Sequence, residues 1–340
     1  MSVSVRLPVL AMLGFLCFAG EAQMSTVASL KSGSSFASRS GIQMIDRLRG
    51  WANSNEGLWS TTDGGATWTR SRLRRVLPAA SWGVLSDGTA WGLLNNPMRD
   101  PSVEIAIVSA RGNVDHRVTP CSPKIDCYSG SAAFSRDGQN GIFAGIIQGD
   151  REHDRSKGYR TRDGGRTWEE LSMFPSWITR GDLTIVAEGE DHLLVVTGCD
   201  LYTTSDFGST WAKAHLKRPA VMCSGDSNPY NIRFFGWSNG WLRTNDGWIL
   251  RSEDGGGSWA VSSLGHQRIF FPKVYDSWIS FADANNGLAV VQGELLLTKD
   301  GGYTWTNIPN SEEERFLGVS CAGEQCIVSS DRRISAYLFR

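Results

Sequence analysis

The sequence predicts an all-β protein: a seven-bladed β-propeller of four-stranded antiparallel blades, with aspartate-centred turns closing the outer hairpins. Three observations predict it. An eight-residue pattern recurs five times along the chain. Each copy belongs to a larger unit of about 40–50 residues, the period of propeller repeats. Each unit reads as four short strands joined by tight turns, and such units bury both faces only when ringed by neighbours.

The pattern is Ser/Thr-x-Asp-x-Gly-x-Ser/Thr-Trp. It appears as TTDGGATW ending at Trp68, TRDGGRTW at Trp168, TSDFGSTW at Trp211, SEDGGGSW at Trp259 and TKDGGYTW at Trp305. The aspartates are Asp63, Asp163, Asp206, Asp254 and Asp300. Such a side chain can accept hydrogen bonds from the backbone N–H groups that follow it. The glycine allows positive φ at low cost. The hydroxyls can tie the two arms together, and the tryptophan can fold its ring back under the turn. These residues are therefore expected to be structural, neither catalytic nor calcium-binding. Successive tryptophans are 100, 43, 48 and 46 residues apart. The first interval is double-length, so a decayed copy is expected within it. SARGNVDH, Ser109–His116, fits, with Arg111 in place of the aspartate and His116 in place of the tryptophan.

The units are 42–71, 80–119, 132–171, 183–214, 231–262, 277–308 and 316–340. The sixth shows the plan: WISF, a polar turn, GLAVV, ELLLTK, the aspartate turn and YTWTNI. The seventh supplies only three strands. A segment near 26–30 is expected to add the fourth and close the ring, making residues 23–340 one domain.

Composition narrows the function. The chain has 340 residues, with 34 basic against 35 acidic side chains. No global field then favours nucleic acid, and none is expected as a partner. The N-terminus, MSVSVRLPVLAMLGFLCFAGEAQ, carries Arg6 before an apolar run from Leu7 to Ala19. It reads as a secretory signal peptide, residues 1–22, cleaved after Ala22. The alternative, an uncleaved anchor, meets a run shorter than the ~20 residues of a spanning helix. The protein is expected to be exported, to periplasm or exterior, and monomeric. Six cysteines follow the signal: Cys121, Cys127, Cys199, Cys223, Cys321 and Cys326. An even number in an exported chain reads as disulfides, expected between nearest neighbours. A metal site is the alternative, and the spacings match no metal-binding pattern. Neither metal nor cofactor is expected.

These repeats resemble the Asp-box (bacterial neuraminidase) repeats of sialidases, some xyloglucanases and sortilin-type receptors. ISFADANNGLAV with TKDGGYTW most resembles the repeat of the photosystem II assembly factor type of seven-bladed propeller. FFGWSNGWLRT with SEDGGGSW, and MIDRLRGWANS with TTDGGATW, match more loosely. The resemblance spans essentially the whole chain after the signal. It implies a binding scaffold used during assembly of a membrane complex.

An enzymatic reading has less to stand on. The early Arg-Ile-Pro signature and arginine triad of sialidases do not appear, and Arg268-Ile269-Phe270 is the nearest echo. Acidic residues outside the boxes, Asp46, Asp137, Glu188 and Asp283, are the candidates for a glycosidase pair assembled from different blades; several fall in the turn after the first strand of their unit, which favours a turn role. Gly236-Trp-Ser-Asn-Gly240 matches a nucleophile elbow in letters alone, because a strand follows where the elbow needs a helix. The clearest surface candidate is TRSRLRRV, with Arg70, Arg72, Arg74 and Arg75. Arginines there suit a partner's carboxylates or phosphates; the alternative is a solvated strand and loop. The expected function is an exported, non-catalytic scaffold for a protein partner. The alternatives are a sialidase-like glycoside hydrolase or glycan-binding lectin, and a purely structural envelope module.

Overall fold

The computed structural model describes residues 24–29, 41–54, 56–73, 77, 82–96, 100–121, 127–147, 155–172, 174, 183–188, 191–197, 200–217, 229–244, 249–262, 278–291, 293–309 and 314–339. The expected signal peptide, Arg74, Arg75, Cys199 and Cys223 lie outside the described residues.

Seven sheets form the molecule. Their inner strands are Ile42–Met44, Trp82–Val84, Cys127–Phe134, Leu183–Glu188, Pro229–Phe235, Trp278–Phe281 and Phe316–Ala322. Each inner strand packs against that of the next sheet, and the seventh returns to the first. The sheets are therefore the blades of a closed propeller, and burial follows that geometry. The apolar interior divides into seven clusters, one in each gap between neighbouring blades. Trp51 and Leu58 of blade 1 meet Trp82 and Val108 of blade 2 in one such gap.

A recurrent exchange of volume packs the inner hairpins. The inner strand ends in a large side chain, and the second strand opens with glycine. A Cβ at Gly141 would lie 2.6 Å from the Phe134 ring, one at Gly240 2.5 Å from Phe234, and one at Gly287 2.6 Å from Phe281. The ring occupies the space a side chain would need, so glycine is fixed at the start of GLAVV and GWLRT. Gly236–Gly240 itself is a turn between Pro229–Phe235 and Asn239–Thr244, two antiparallel strands.

Blade 7 is completed by the other end of the chain. Met24–Ser29 pairs antiparallel with Arg333–Leu338, with Met24 opposite Tyr337 and Ser29 opposite Arg333. Arg333 fastens this edge: Nη1 donates to Thr26 Oγ1 at 3.4 Å and Nη2 to Glu314 Oε2 at 2.9 Å. Glu314 is buried, and the Ser330 hydroxyl donates to its other oxygen.

One strand departs from the four-per-blade plan. His215–Lys217, just past the outer strand of blade 4, pairs in parallel with Ser258–Val261 and makes blade 5 five-stranded. Ala214 is buried at the crossing, and the His215 N–H donates to Gly257 O at 2.7 Å. The connection thus satisfies its backbone on the next blade's edge rather than in water.

Candidate functional site

The five aspartate hairpins share one geometry. In the third blade, Asp163 Oδ1 accepts from the Thr161 hydroxyl at 2.8 Å and the Thr167 N–H at 2.9 Å. Its Oδ2 accepts from the Thr167 hydroxyl at 2.6 Å. Thr161 Oγ1 in turn accepts the Gly165 N–H at 2.8 Å. The same set recurs around Asp63, Asp206, Asp254 and Asp300. Trp68, Trp259 and Trp305 donate from Nε1 to the carbonyl three residues back, at 2.9, 2.8 and 3.2 Å. Trp168 packs edge-on to Phe134 and Phe143, and Trp211 edge-on to Phe174. Hydroxyl and N–H donors stabilise the ionised carboxylate. The Thr167 hydroxyl is the largest influence holding Asp163 down to about 2, and the Thr204 hydroxyl does the same for Asp206, also about 2.

Phe207 stands where the other four hairpins place a glycine of φ 70–73°. It adopts φ 54°, a left-handed conformation costing a side chain about 1–2 kcal/mol. Its ring is 2% exposed and packs in the gap between blades 3 and 4. Burying such a ring contributes about 1.5–3 kcal/mol, which offsets the strain.

The candidate acids outside these hairpins are equally engaged. Asp46 accepts the N–H groups of Leu48 and Arg49 and pairs with Arg49 Nε at 2.7 Å. Asp137 takes the Ser135 hydroxyl and the Gln139 N–H. Asp283 takes the N–H groups of Asn285 and Asn286 and the Asn286 amide. Asp137 is held below the usual carboxylate range first by Ser135. Burial raises Asp46 and Asp283, and these bonds outweigh it and lower both. Glu188 ends its inner strand, and its side chain is outside those described. The turns that follow the inner strands also brace the aspartate hairpins: Gly64, Gly164, Phe207, Gly255 and Gly301 donate N–H to the Leu48, Gln139, Asp191, Ser238 and Asn285 carbonyls at 2.7–3.2 Å. Both sets of turns therefore share one face of the propeller.

The arginine segment is anchored where it is described. Arg70 lies in the short outer strand Thr69–Arg70, exposed, with its guanidinium 5.8 Å from the Trp59 ring centre. It also donates to the Glu56 carbonyl. Arg72 is exposed, while its backbone N–H donates to Gly112 O at 3.3 Å on blade 2. Leu73 and Leu77 of the same stretch are buried between blades 1 and 2. Sequence reasoning missed these anchors, although their apolar type among arginines was the available signal.

Cys321 and Cys326 face each other across the inner hairpin of blade 7 and form a disulfide. Cys121 is also disulfide-bonded; the Cys127 side chain is outside those described. Among the described residues no group of three His, Cys, Asp or Glu is placed to hold a metal.

Down the ring axis runs a channel of about 820 Å³, lined by inner strands of all seven blades. Polar and apolar atoms share its wall about equally, and Trp82, Phe234, Trp278, Arg136 and Arg233 are among the residues that line it. Neither arginine stood out in the sequence, because a single charge on a strand or turn has no pattern.

These features define a seven-bladed propeller whose turn carboxylates are committed to its own backbone. No protein-family model matches the chain, and no curated protein matches it. Solved structures do. The fold is similar to YCF48 from Cyanidioschyzon merolae, with TM-score 0.58 and 15% identity over 94% of this chain and 98% of that one. It is similar to virginiamycin B lyase from Staphylococcus aureus, with TM-score 0.64 and 13% identity over 94% of this chain and 100% of that one. It also resembles the GH74 xyloglucanase from Xanthomonas campestris, with TM-score 0.65 and 15% identity. That match covers 93% of this chain and 53% of the xyloglucanase, so the chain spans about half its length. At such identities the likenesses establish the fold, which hosts both enzymes and binding proteins.

Proposed function

We propose that this protein is an exported propeller scaffold that binds a protein partner and catalyses no reaction of its own. One observation carries the reading. Asp46, Asp137 and Asp283, and the hairpin aspartates Asp63, Asp163, Asp206, Asp254 and Asp300, accept two or more hydrogen bonds each from their own turns. Their lowered pKa values leave them ionised at neutral pH. A general acid requires the opposite shift.

The repeats belong to the Asp-box type, and their resemblance to photosystem II assembly factors points to assembly or stabilisation of a membrane complex. Blade 1 offers the contact surface. Arg70 and Arg72, beside Trp59, are presented by a segment that Leu73 and Leu77 pin into the core. Arginine and tryptophan dominate interface hot spots, and pre-ordering lowers the entropic cost of binding. Arg74 and Arg75 follow in the sequence.

A photoreactive residue replacing Arg72 tests this in the native envelope. A single dominant crosslinked protein is expected, and Arg70→Ala with Arg72→Ala should weaken its binding at least about tenfold. Release of reducing sugar from envelope polysaccharide by the purified chain would overturn the non-catalytic reading. Crosslinking to glycan alone would replace the protein partner with a lectin function.

A further inference from the structure

We infer that the outer edge of blade 2, Val114–Val118, is a self-association surface that pairs antiparallel with the same strand of a second copy of this chain. The sequence reads as a monomer; this one edge argues for a pair, independently of the arginine segment on blade 1. Blades 1, 3, 4 and 6 end in outer strands of two or three residues: Thr69–Arg70, Glu169–Glu170, Ala212–Lys213 and Thr306–Ile308. Short edges of that kind discourage pairing with other chains. Blade 5 ends in the longer Ser258–Val261, which His215–Lys217 covers. Blade 7 ends in Met24–Ser29, whose ladder is interrupted by a register shift between Thr26 and Ala28, another device that blunts an edge. Blade 2 has neither protection. Its outer strand runs for five residues in unbroken register, and among the described residues no strand pairs with its outer side.

The length of this edge follows from the decayed hairpin. A tight turn, closed by the Ser109 N–H on Asn113 O at 2.9 Å, replaces the aspartate staple, and pairing starts at once with Val114. His116 stands in the strand where an intact hairpin places its tryptophan. The strand is open to solvent: the side chains of Asp115 and His116 are 63% and 51% exposed.

The hydrogen-bonding phase fixes how two such edges can meet. Ser109 bonds to Asn113 and Thr119 to Val103, so by alternation Asp115 and Arg117 turn their backbone groups inward to the neighbouring strand Asp100–Val108. Val114, His116 and Val118 turn theirs outward. A two-fold axis at His116 then sets His116 opposite its own copy and Val114 opposite the partner's Val118, as hydrogen-bonded pairs. The closer, non-hydrogen-bonded pairs are Asp115 with the partner's Arg117, and Arg117 with the partner's Asp115. Within one protomer Arg117 is held on that face by Asp115, Nε to Oδ2 at 3.1 Å, and by the Gly164 carbonyl. His116 lies on the other face, 3.3 Å from Glu104, and does not compete for these charges.

Opposite charges directly across a ladder stabilise it, and like charges destabilise it. Sliding one strand by two residues, the smallest antiparallel shift that keeps the phase, sets Asp115 opposite Asp115 or Arg117 opposite Arg117. VDHRV is therefore complementary to itself in one register and opposed to itself in the neighbouring ones. A strand from another protein would meet the same backbone groups without that matched order of charge, which is why the second copy is the occupant.

Sedimentation velocity on the chain from residue 23 onward, between about 1 μM and about 1 mM, tests the pairing. An edge contact this small belongs to the weak class of interfaces, and a reversible dimer with a dissociation constant of about 10–500 μM is expected. His116→Pro removes an outward N–H and spares the inner ladder, a position where an edge strand tolerates proline. It should weaken the dimer at least about tenfold. Asp115→Arg and Arg117→Asp should each be monomeric alone, and their equimolar mixture should recover the dimer, because each variant carries the charges the other lacks. Thermal melts establish that each variant is folded. Should Arg117→Asp fail to fold through loss of its bond to Gly164, His116→Pro and Asp115→Arg decide the question by themselves. A chain that stays monomeric to about 1 mM overturns the inference, even where the edge takes up a strand from another protein. So does a dimer indifferent to both His116→Pro and Asp115→Arg, or a mixture of the two folded charge variants that stays monomeric.

Discussion

At the scale of single residues, the aspartates set how the protein responds to acid. Asp163 and Asp206 have folded pKa values of about 2 against an ordinary 3.8. Asp46, Asp63, Asp137, Asp254, Asp283 and Asp300 are shifted the same way. A depressed folded pKa contributes stability that is fully present above the unfolded value. That stability is lost as pH falls through the folded value. The melting temperature should therefore hold down to about pH 4 and fall steeply towards about pH 2. Most of these groups are solvent-accessible, so each contributes modestly and the sum matters. Asp163→Asn should be less stable at neutral pH and show a shallower acid slope, measured by thermal melts across that range. A melting temperature equal at pH 2 and pH 7 would contradict this account. The aspartates were legible in the sequence because five copies share one spacing. Phe207 was legible only as an exception to that spacing, and its reason, the gap it fills between blades, depends on tertiary packing.

At the scale of the element, the inner hairpin shows why some positions spoke and others stayed silent. The motif ISFADANNGLAV displayed Phe281 and Gly287, but not that one exists for the other. Gly287→Ala would place a methyl 2.6 Å from the Phe281 ring, and overpacking of this kind costs about 1–3 kcal/mol. Pairing it with Phe281→Leu should recover much of that loss, because the smaller side chain vacates the contact. Chemical denaturation of the two single variants and the double variant measures the coupling, and additive effects would show that the ring and the glycine are independent. The crossing strand His215–Lys217 was invisible for a different reason. Three residues are too short a run to carry a strand signal, and the strand forms because blade 5 offers an unpaired edge. Arg136 and Arg233 were silent likewise: what unites them is the ring, which brings blades 3 and 5 to a common axis.

At the scale of the whole molecule, the ring must close, and the geometry of closure makes two outcomes separable. Met24–Ser29 contributes five paired positions to blade 7, each worth about 0.5–1 kcal/mol net in backbone hydrogen bonding. Met24 also packs on the apolar cluster between blades 6 and 7, and Thr26 takes a bond from Arg333. Removing residues 23–29 should cost about 3–5 kcal/mol. For a chain of this size that is a fall of roughly 4–8 °C in melting temperature. Such a fall alone would not distinguish ring closure from the loss of any strand. A circular permutant does. Met24 lies opposite Tyr337, so a short turn can join residue 340 to residue 23, with new ends opened in the exposed turn at Ala110 and Arg111. If closure requires only that this strand reach Arg333–Leu338, the permutant should melt within about 3 °C of the parent, since chain ends at the surface are tolerated. It should also resist denaturant better, because the closing strand becomes part of a local hairpin and its loop entropy falls. A permutant as unstable as the deletion would mean that the strand holds the ring from its own terminus, by contacts other than the ladder with Arg333–Leu338.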